Sequence, residues 1–88
     1  MNWTLVVAKP AQRQLERAPR ADRARLLEAL EAMRRNPFEG DIARLKEQPA
    51  NFRRRVGAWR ILFDLYPAAR RIEILAVMRR TSTTYRRR

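Results

Sequence analysis

The chain contains neither cysteine nor histidine. Without cysteine there is no disulfide framework and no thiol chemistry. Without histidine there is no imidazole to ligate a metal or to move protons near neutral pH. No cofactor and no metal are expected. Long apolar runs are missing as well: none approaches the roughly 20 residues that a membrane-spanning helix needs. Met1-Asn2-Trp3 places no basic region ahead of a long apolar stretch, so no signal peptide is expected and a cytoplasmic location is the simplest. No repeat, linker or second domain interrupts residues 1–88, which read as one small domain. A core of this size is modest, and a partner that shares in stabilising it would fit.

Acidic residues and lysine are scarce. The chain has 21 Lys+Arg against 9 Asp+Glu, a formal net charge of +12. Only Lys9 and Lys46 are lysines, which leaves 19 arginines. Arginine meets phosphate with a planar two-pronged donor set and stays charged when partly buried. A genome biased towards arginine codons would account for part of such a count. The charge is uneven. Residues 1–50 hold 10 basic and 7 acidic side chains, whereas residues 51–88 hold 11 basic side chains and two acidic ones, Asp64 and Glu73. Such asymmetry points to nucleic acid, an acidic protein or an anionic membrane.

Residues 2–8 read as a strand, with Trp3, Leu5 and Val7 alternating against Asn2, Thr4 and Val6. Lys9-Pro10 suits the first turn of a helix that runs to Arg17, with Ala11, Leu15 and Ala18 on its inner face. Ala18-Pro19-Arg20 breaks it. A second helix is expected over 21–35, with Ala24, Leu27, Leu30 and Met33 as an apolar stripe beside Leu26. Asp22 in its first turn and Arg34-Arg35 in its last suit the helix dipole, and Asn36-Pro37 stops it. The short connection predicts an antiparallel helical hairpin. Residues 38–49 read as a loop with one helical turn around Ile42 to Lys46.

Three strands follow at 51–56, 58–65 and 71–78, joined by Gly57-Ala58 and by Tyr66-Pro67-Ala68-Ala69-Arg70. The last of them, with Ile72, Ile74 and Ala76 against Glu73, Leu75 and Val77, reads as central and covered on both faces. The predicted class is α+β in the order β-α-α-β-β-β, one antiparallel sheet with the helical hairpin packed on one face.

The densest charge lies in the hairpin at 52–63, where Arg53, Arg54, Arg55 and Arg60 fall within nine positions. Strand alternation sends Arg53 and Arg55 one way, and Phe52, Arg54 and Val56 the other. Fixed positive charge on a rigid sheet suits a phosphate backbone, and an exposed basic hairpin that only keeps the chain soluble has the same pattern. Residues 79–88 add Arg79, Arg80, Tyr85 and the terminal Arg86 to Arg88. A basic cluster with an aromatic fits phosphate pairing plus base stacking. The last three arginines fit a solvated terminus better.

These features together resemble the RelE/ParE superfamily of bacterial toxins, the toxin halves of type II toxin–antitoxin pairs. The resemblance rests on the element order, the Arg-Arg-Asn-Pro-Phe-Glu-Gly run at 34–40, Leu45-Lys46, the hairpin with Val56-Gly57-Ala58-Trp59-Arg60-Ile61 and Phe63, and Val77-Met78-Arg79-Arg80 followed by Tyr85. It runs from the first strand to Tyr85. RelE-type members cleave mRNA in the ribosomal A site. ParE-type members share the fold, lack the RNase residues and poison DNA gyrase. The resemblance implies a catalytic set of Arg53, Arg55, Arg60, Arg80 and Tyr85; beside it, Arg54, Lys46, Phe52 and Arg79 are expected to contact RNA. Two departures stand out. RelE-type members often carry lysine where this chain has Arg53 and Arg55. Some relatives use a Glu before the second strand, where this chain has Ala43, and a His near the C-terminus, where it has none; Glu47 is at the wrong offset.

The implied partners are mRNA, the ribosome and a cognate antitoxin with an acidic or amphipathic C-terminal segment. That antitoxin would carry the complex to its own operator DNA. No membrane partner is expected. The implied reaction uses the RNA's own 2′-hydroxyl as nucleophile and leaves a 2′,3′-cyclic phosphate and a 5′-hydroxyl. Arg60 and Arg80 suit in-line positioning and charge neutralisation, and Arg53 and Arg55 suit the same task or flanking phosphates. None is a base, because guanidinium stays protonated. Tyr85 is the leading proton-transfer candidate, with base stacking as its other role, and Lys46 and Glu47 are weaker ones. Phe52 fits stacking or packing equally. Two other readings stand beside the RNase: a gyrase poison with no chemistry, and an inactive relic or general RNA-binding module.

Overall fold

The computed structural model describes residues 2–45 and 50–80. Lys46 and Tyr85, two of the implied site residues, and the weaker candidate Glu47 lie outside the described residues. The elements are β1 (Thr4–Val7), α1 (Lys9–Arg17), α2 (Arg20–Arg35), β2 (Ile42–Arg44), β3 (Phe52–Val56), β4 (Trp59–Tyr66) and β5 (Arg71–Arg79), with a 3-10 turn over Pro67–Ala69 between β4 and β5.

Proline sets both helix boundaries. Pro10 stands in the first turn of α1, where a missing N–H costs nothing. Ala18, just before Pro19, takes the extended conformation that a following proline imposes, and α1 ends there. Arg23 then donates to the free carbonyls of Glu16 and Ala18 at 3.2 and 3.1 Å. Asn36 is extended ahead of Pro37 and ends α2; its Oδ1 accepts from the Phe38 N–H at 3.0 Å.

The sheet order is β1-β5-β4-β3-β2. The α+β class and the helix-on-one-face arrangement agree with the sequence reading, with two corrections to the sheet. It is mixed, because β1 joins the edge of β5 in parallel. It also has a fifth strand: Ile42–Arg44 pairs antiparallel with β3 where a helical turn was expected. Three residues give little periodicity to read, and the open edge of β3 captures them while Ile42 packs against the core.

The core lies between the helices and one sheet face. Ala11, Leu15, Leu26, Leu30 and Met33 meet Ile61, Phe63, Ile72, Ile74 and Val77. Each large side chain among these contributes roughly 1.5–3 kcal/mol by burial. The phase of α2 differs from the expected stripe. Leu26, Ala29, Leu30 and Met33 are buried, while Ala24 is exposed and Leu27 is 50% exposed. The apolar sector of this helix is wide, and packing against the sheet decides which part is buried. Leu27 and Leu30 instead line a groove of about 500 Å³ alongside Leu5, Val7 and Leu15.

β5 is hydrogen-bonded along both edges, and among the described residues it is covered on the helix side only, where cover on both faces was expected. A bulge brings Leu62 opposite Ala76 and Phe63 opposite Ile74, leaving Leu75 as the extra residue. The alternation therefore switches within β5: Ile72, Ile74 and Val77 are buried, and Ala76 is not. The Val77 N–H donates to Gln14 Oε1 on α1 at 2.6 Å, which ties the strand to the helix just past the irregularity. Among the described residues, no helix is long and apolar enough to cross a membrane.

Candidate nucleic-acid interface

The β3–β4 hairpin closes over Gly57-Ala58. Gly57 has φ +59°, the positive φ that a two-residue turn with glycine first requires. That turn sets Arg55 opposite Arg60 and Arg53 opposite Leu62, and β5 adds Met78 opposite Arg60. Directly opposed residues share a face. Arg53, Arg55 and Arg60 therefore lie together on the sheet face turned away from α1 and α2. This is the face on which alternation within 52–56 places Arg53 and Arg55.

These arginines are held differently. Arg53 is anchored: its Nη1 donates to Asp41 O at 3.1 Å and to Asp41 Oδ1 at 3.2 Å, and its side chain is 14% exposed. Arg55 is exposed, and among the described residues it makes no ion pair or side-chain hydrogen bond. Arg60 is half-buried, and its Nε is buried without an acceptor. Like charges directly opposed across a ladder repel. The acids of this face do not relieve them. Asp64 and Glu73 face each other farther along the sheet; Asp64 accepts from the Asn51 N–H at 2.7 Å, and Glu73 pairs with Arg71 at 3.2 Å. Asp64 is four residues along β4 from Arg60, about 13 Å at the usual strand rise.

Arg80 extends the ladder one step beyond β5. Its N–H donates to Ala58 O at 2.7 Å and its Nη1 to Gly57 O at 3.3 Å, so it sits at the hairpin tip. It follows Met78 by two residues, which keeps it on the side of Arg60.

The remaining candidates face the helices. Arg54 is opposite the buried Ile61 and donates from Nη1 to Glu39 O at 3.2 Å. Its guanidinium rests on Gly40, φ +101°, where a Cβ would stand 2.8 Å from Cζ. Arg79 lies over the Trp59 ring at 5.0 Å and pairs with Asp22 on α2 at 3.6 Å. Phe52 stacks on Phe63 with centroids 5.6 Å apart, and Arg44 lies over its ring at 5.5 Å. The structure thus gathers Arg53, Arg55, Arg60 and Arg80 on one side of the hairpin and sets Arg54, Arg79 and Phe52 on the other.

Two contributors escaped the sequence reading. Asp41 anchors Arg53 across the β2–β3 pair, and Arg25 of α2 reaches the hairpin turn at Gly57. Both contacts are long-range and leave no local pattern. Among the described residues no three His, Cys, Asp or Glu side chains gather into a possible metal site. The cluster offers only cationic hydrogen-bond donors, which suit an oxyanion, above all a phosphate.

No protein-family model and no curated protein matches the sequence. Solved structures do match the fold. The toxin–antitoxin complex RelBE2 from Mycobacterium tuberculosis contains a chain that is 23% identical, with a TM-score of 0.80, covering 91% of this chain and 100% of that one. The archaeal RelE–RelB complex from Pyrococcus horikoshii gives 22% identity and a TM-score of 0.79 over 93% of this chain and 99% of that one. The isolated RelE toxin of E. coli gives 14% identity and a TM-score of 0.75 over 94% and 90%. The fold is that of the RelE toxins.

Proposed function

We propose that this chain is the toxin of a type II toxin–antitoxin pair and that it cleaves mRNA, in the ribosomal A site, to stop translation. The observation that carries the reading is the opposed Arg55–Arg60 pair. Two cations share one face of a rigid ladder, and no acid among the described residues pairs with either. A fold that leaves such a pair without an acid keeps it for an anion. The likeness to RelE toxins makes RNA phosphate the favoured anion.

In this reading the 2′-hydroxyl attacks the adjacent phosphorus. The P–O5′ bond breaks, leaving a 2′,3′-cyclic phosphate and a 5′-hydroxyl. Arg60 and Arg80 hold the phosphate in line and neutralise its equatorial oxygens; preorganised cations of this kind supply a large share of such catalysis. Arg53, fixed by Asp41, and Arg55 grip the same or the flanking phosphate. Guanidinium is no base, so Tyr85, acting as phenolate, takes the proton from the 2′-hydroxyl, and water supplies the proton that the leaving 5′-oxygen takes up. Lys46 contacts the RNA. Phe52 and Arg79 support the hairpin from the helix side. With no stronger base, the reaction leans on positioning, and activity on free RNA is weak.

The partner in this reading is a cognate antitoxin whose acidic or amphipathic C-terminal segment covers the basic sheet. The neighbours named as RelE–RelB complexes support such a partner.

The test is a pulse of expression with mRNA 5′ ends mapped and DNA breaks assayed in parallel. Cuts inside translated codons that disappear in Arg60→Ala and Arg80→Ala are expected. Intact mRNA with broken DNA would replace the RNase with a gyrase poison. Neither effect would leave a relic.

A further inference from the structure

The hairpin carries a second group of arginines on its helix side. Arg25 reaches across from α2, and its Nη2 lies 3.1 Å from where a Cβ on Gly57 would stand. Arg25, Arg54 and Arg55 line one cavity of about 250 Å³. Its floor is small and apolar, from Ala29, Ala32 and Val56, and among the described residues Glu28 is the one acid on its wall. Among the described residues Arg25 makes no ion pair or hydrogen bond, even though Glu28 is one turn away on the same helix. Arg54 is only partly satisfied: Nη1 reaches Glu39 O, but Nε is buried without an acceptor.

We propose that this cavity seats a backbone phosphate of the RNA strand after it crosses the hairpin tip from the open-face cluster. The inference rests on the reading of RNA as substrate and extends the bound strand to a second site. Arg55 connects the two, because it faces Arg60 across the ladder and also lines the cavity. The guanidinium groups of Arg25 and Arg54 outnumber the Glu28 carboxylate and leave the seat cationic. Among the described residues no aromatic ring lines it, so these residues offer a base nothing to stack on and grip the backbone without regard to sequence. Only a strand longer than the cleaved dinucleotide step reaches it. Contact with Arg25 therefore adds affinity for long RNA and none for short RNA.

The experiment is fluorescence anisotropy of the purified chain with two uncleavable 2′-O-methyl RNAs, one long and one a trinucleotide, over a salt series. Arg25 is exposed, so Arg25→Ala is expected to fold, and matching thermal melts check this. It should weaken the long RNA several-fold and lower the slope of log affinity against log salt by about 0.7, the value for one phosphate contact on a single strand. Arg25→Lys should keep most of that slope. Glu28→Gln should tighten the long RNA, and none of the three should move the trinucleotide. Unchanged long-RNA binding in both Arg25→Ala and Glu28→Gln, with binding lost in Arg60→Ala, would overturn the seat and leave the RNA reading intact. Equal losses on long and short RNA in Arg25→Ala would also overturn it. So would a loss seen only with polyglutamate, which would make the cavity a carboxylate site. If the unaltered chain binds neither RNA, the RNA reading falls and the seat falls with it.

Discussion

The two faces of the sheet use the same residue type in opposite ways. On the helix side each arginine of the hairpin and strand ends has an acceptor or a ring. Arg54 donates to Glu39 O, and Arg79 pairs with Asp22 and lies over Trp59. On the open side Arg53 alone is fixed by an acid, while Arg55 and Arg60 face each other with none among the described residues. Arginine content by itself is therefore a poor guide to function in this chain. What separates Arg79 from Arg55 and Arg60 is that the fold gives the first an acid and, among the described residues, gives the other two none.

The comparison breaks first at its structural side. Phe63→Ala removes a fully buried ring from the helix-side core and should cost about 3–5 kcal/mol in urea unfolding. A small loss would mean that this face is not what holds the fold. On the open face, Arg60→Ala should lower mRNA cleavage in a translating extract by about 10²–10³-fold, the scale for losing one preorganised donor at developing charge. The urea midpoint should hold or rise slightly, because the variant also removes one of the two opposed charges. Equal loss of stability and cleavage would erase the distinction between the faces.

Gly40→Ala comes next. It forces a Cβ to within 2.8 Å of Arg54 Cζ at φ +101°, and should destabilise by about 1–3 kcal/mol. Arg55→Glu tests the opposed pair directly. It turns a repulsive cross-strand pair into an attractive one, so stability should rise by about 0.2–1 kcal/mol while RNA binding collapses. A stability loss would show that the two guanidinium groups do not repel. Arg79→Ala should have the smallest effect. The pair with Asp22 is 3.6 Å long and its Arg79 side is exposed, so it is worth less than about 1 kcal/mol, and cleavage should change by less than about twofold.

Much of this division was legible in the sequence. Strand alternation separated Arg53 and Arg55 from Phe52, Arg54 and Val56. The two-residue turn at Gly57 then determined that Arg55 meets Arg60. Proline at positions 10, 19 and 37 marked the helix ends to within a residue. What could not be read was long-range. The short β2 exists because β3 offers an edge, and β1 is parallel because β5 lies beside it. The burial phase of α2 depends on the sheet beneath it. The bulge beside Leu62 moves Val77 into the core in place of Ala76, and no local pattern announces it. In the candidate site, the anchor from Asp41 and the approach of Arg25 arise only from the folded chain.

The facing Arg55 and Arg60 have a consequence for the protein's lifetime. Any polyanion that settles between them, whether substrate or inhibitor, relieves a repulsion that the free chain must bear, and so binds the folded state in preference to the unfolded one. An acidic partner that silences this protein would thus also be its preservative. Once released, the chain would be at its most exposed to proteolysis in the same interval in which its open face is free to act.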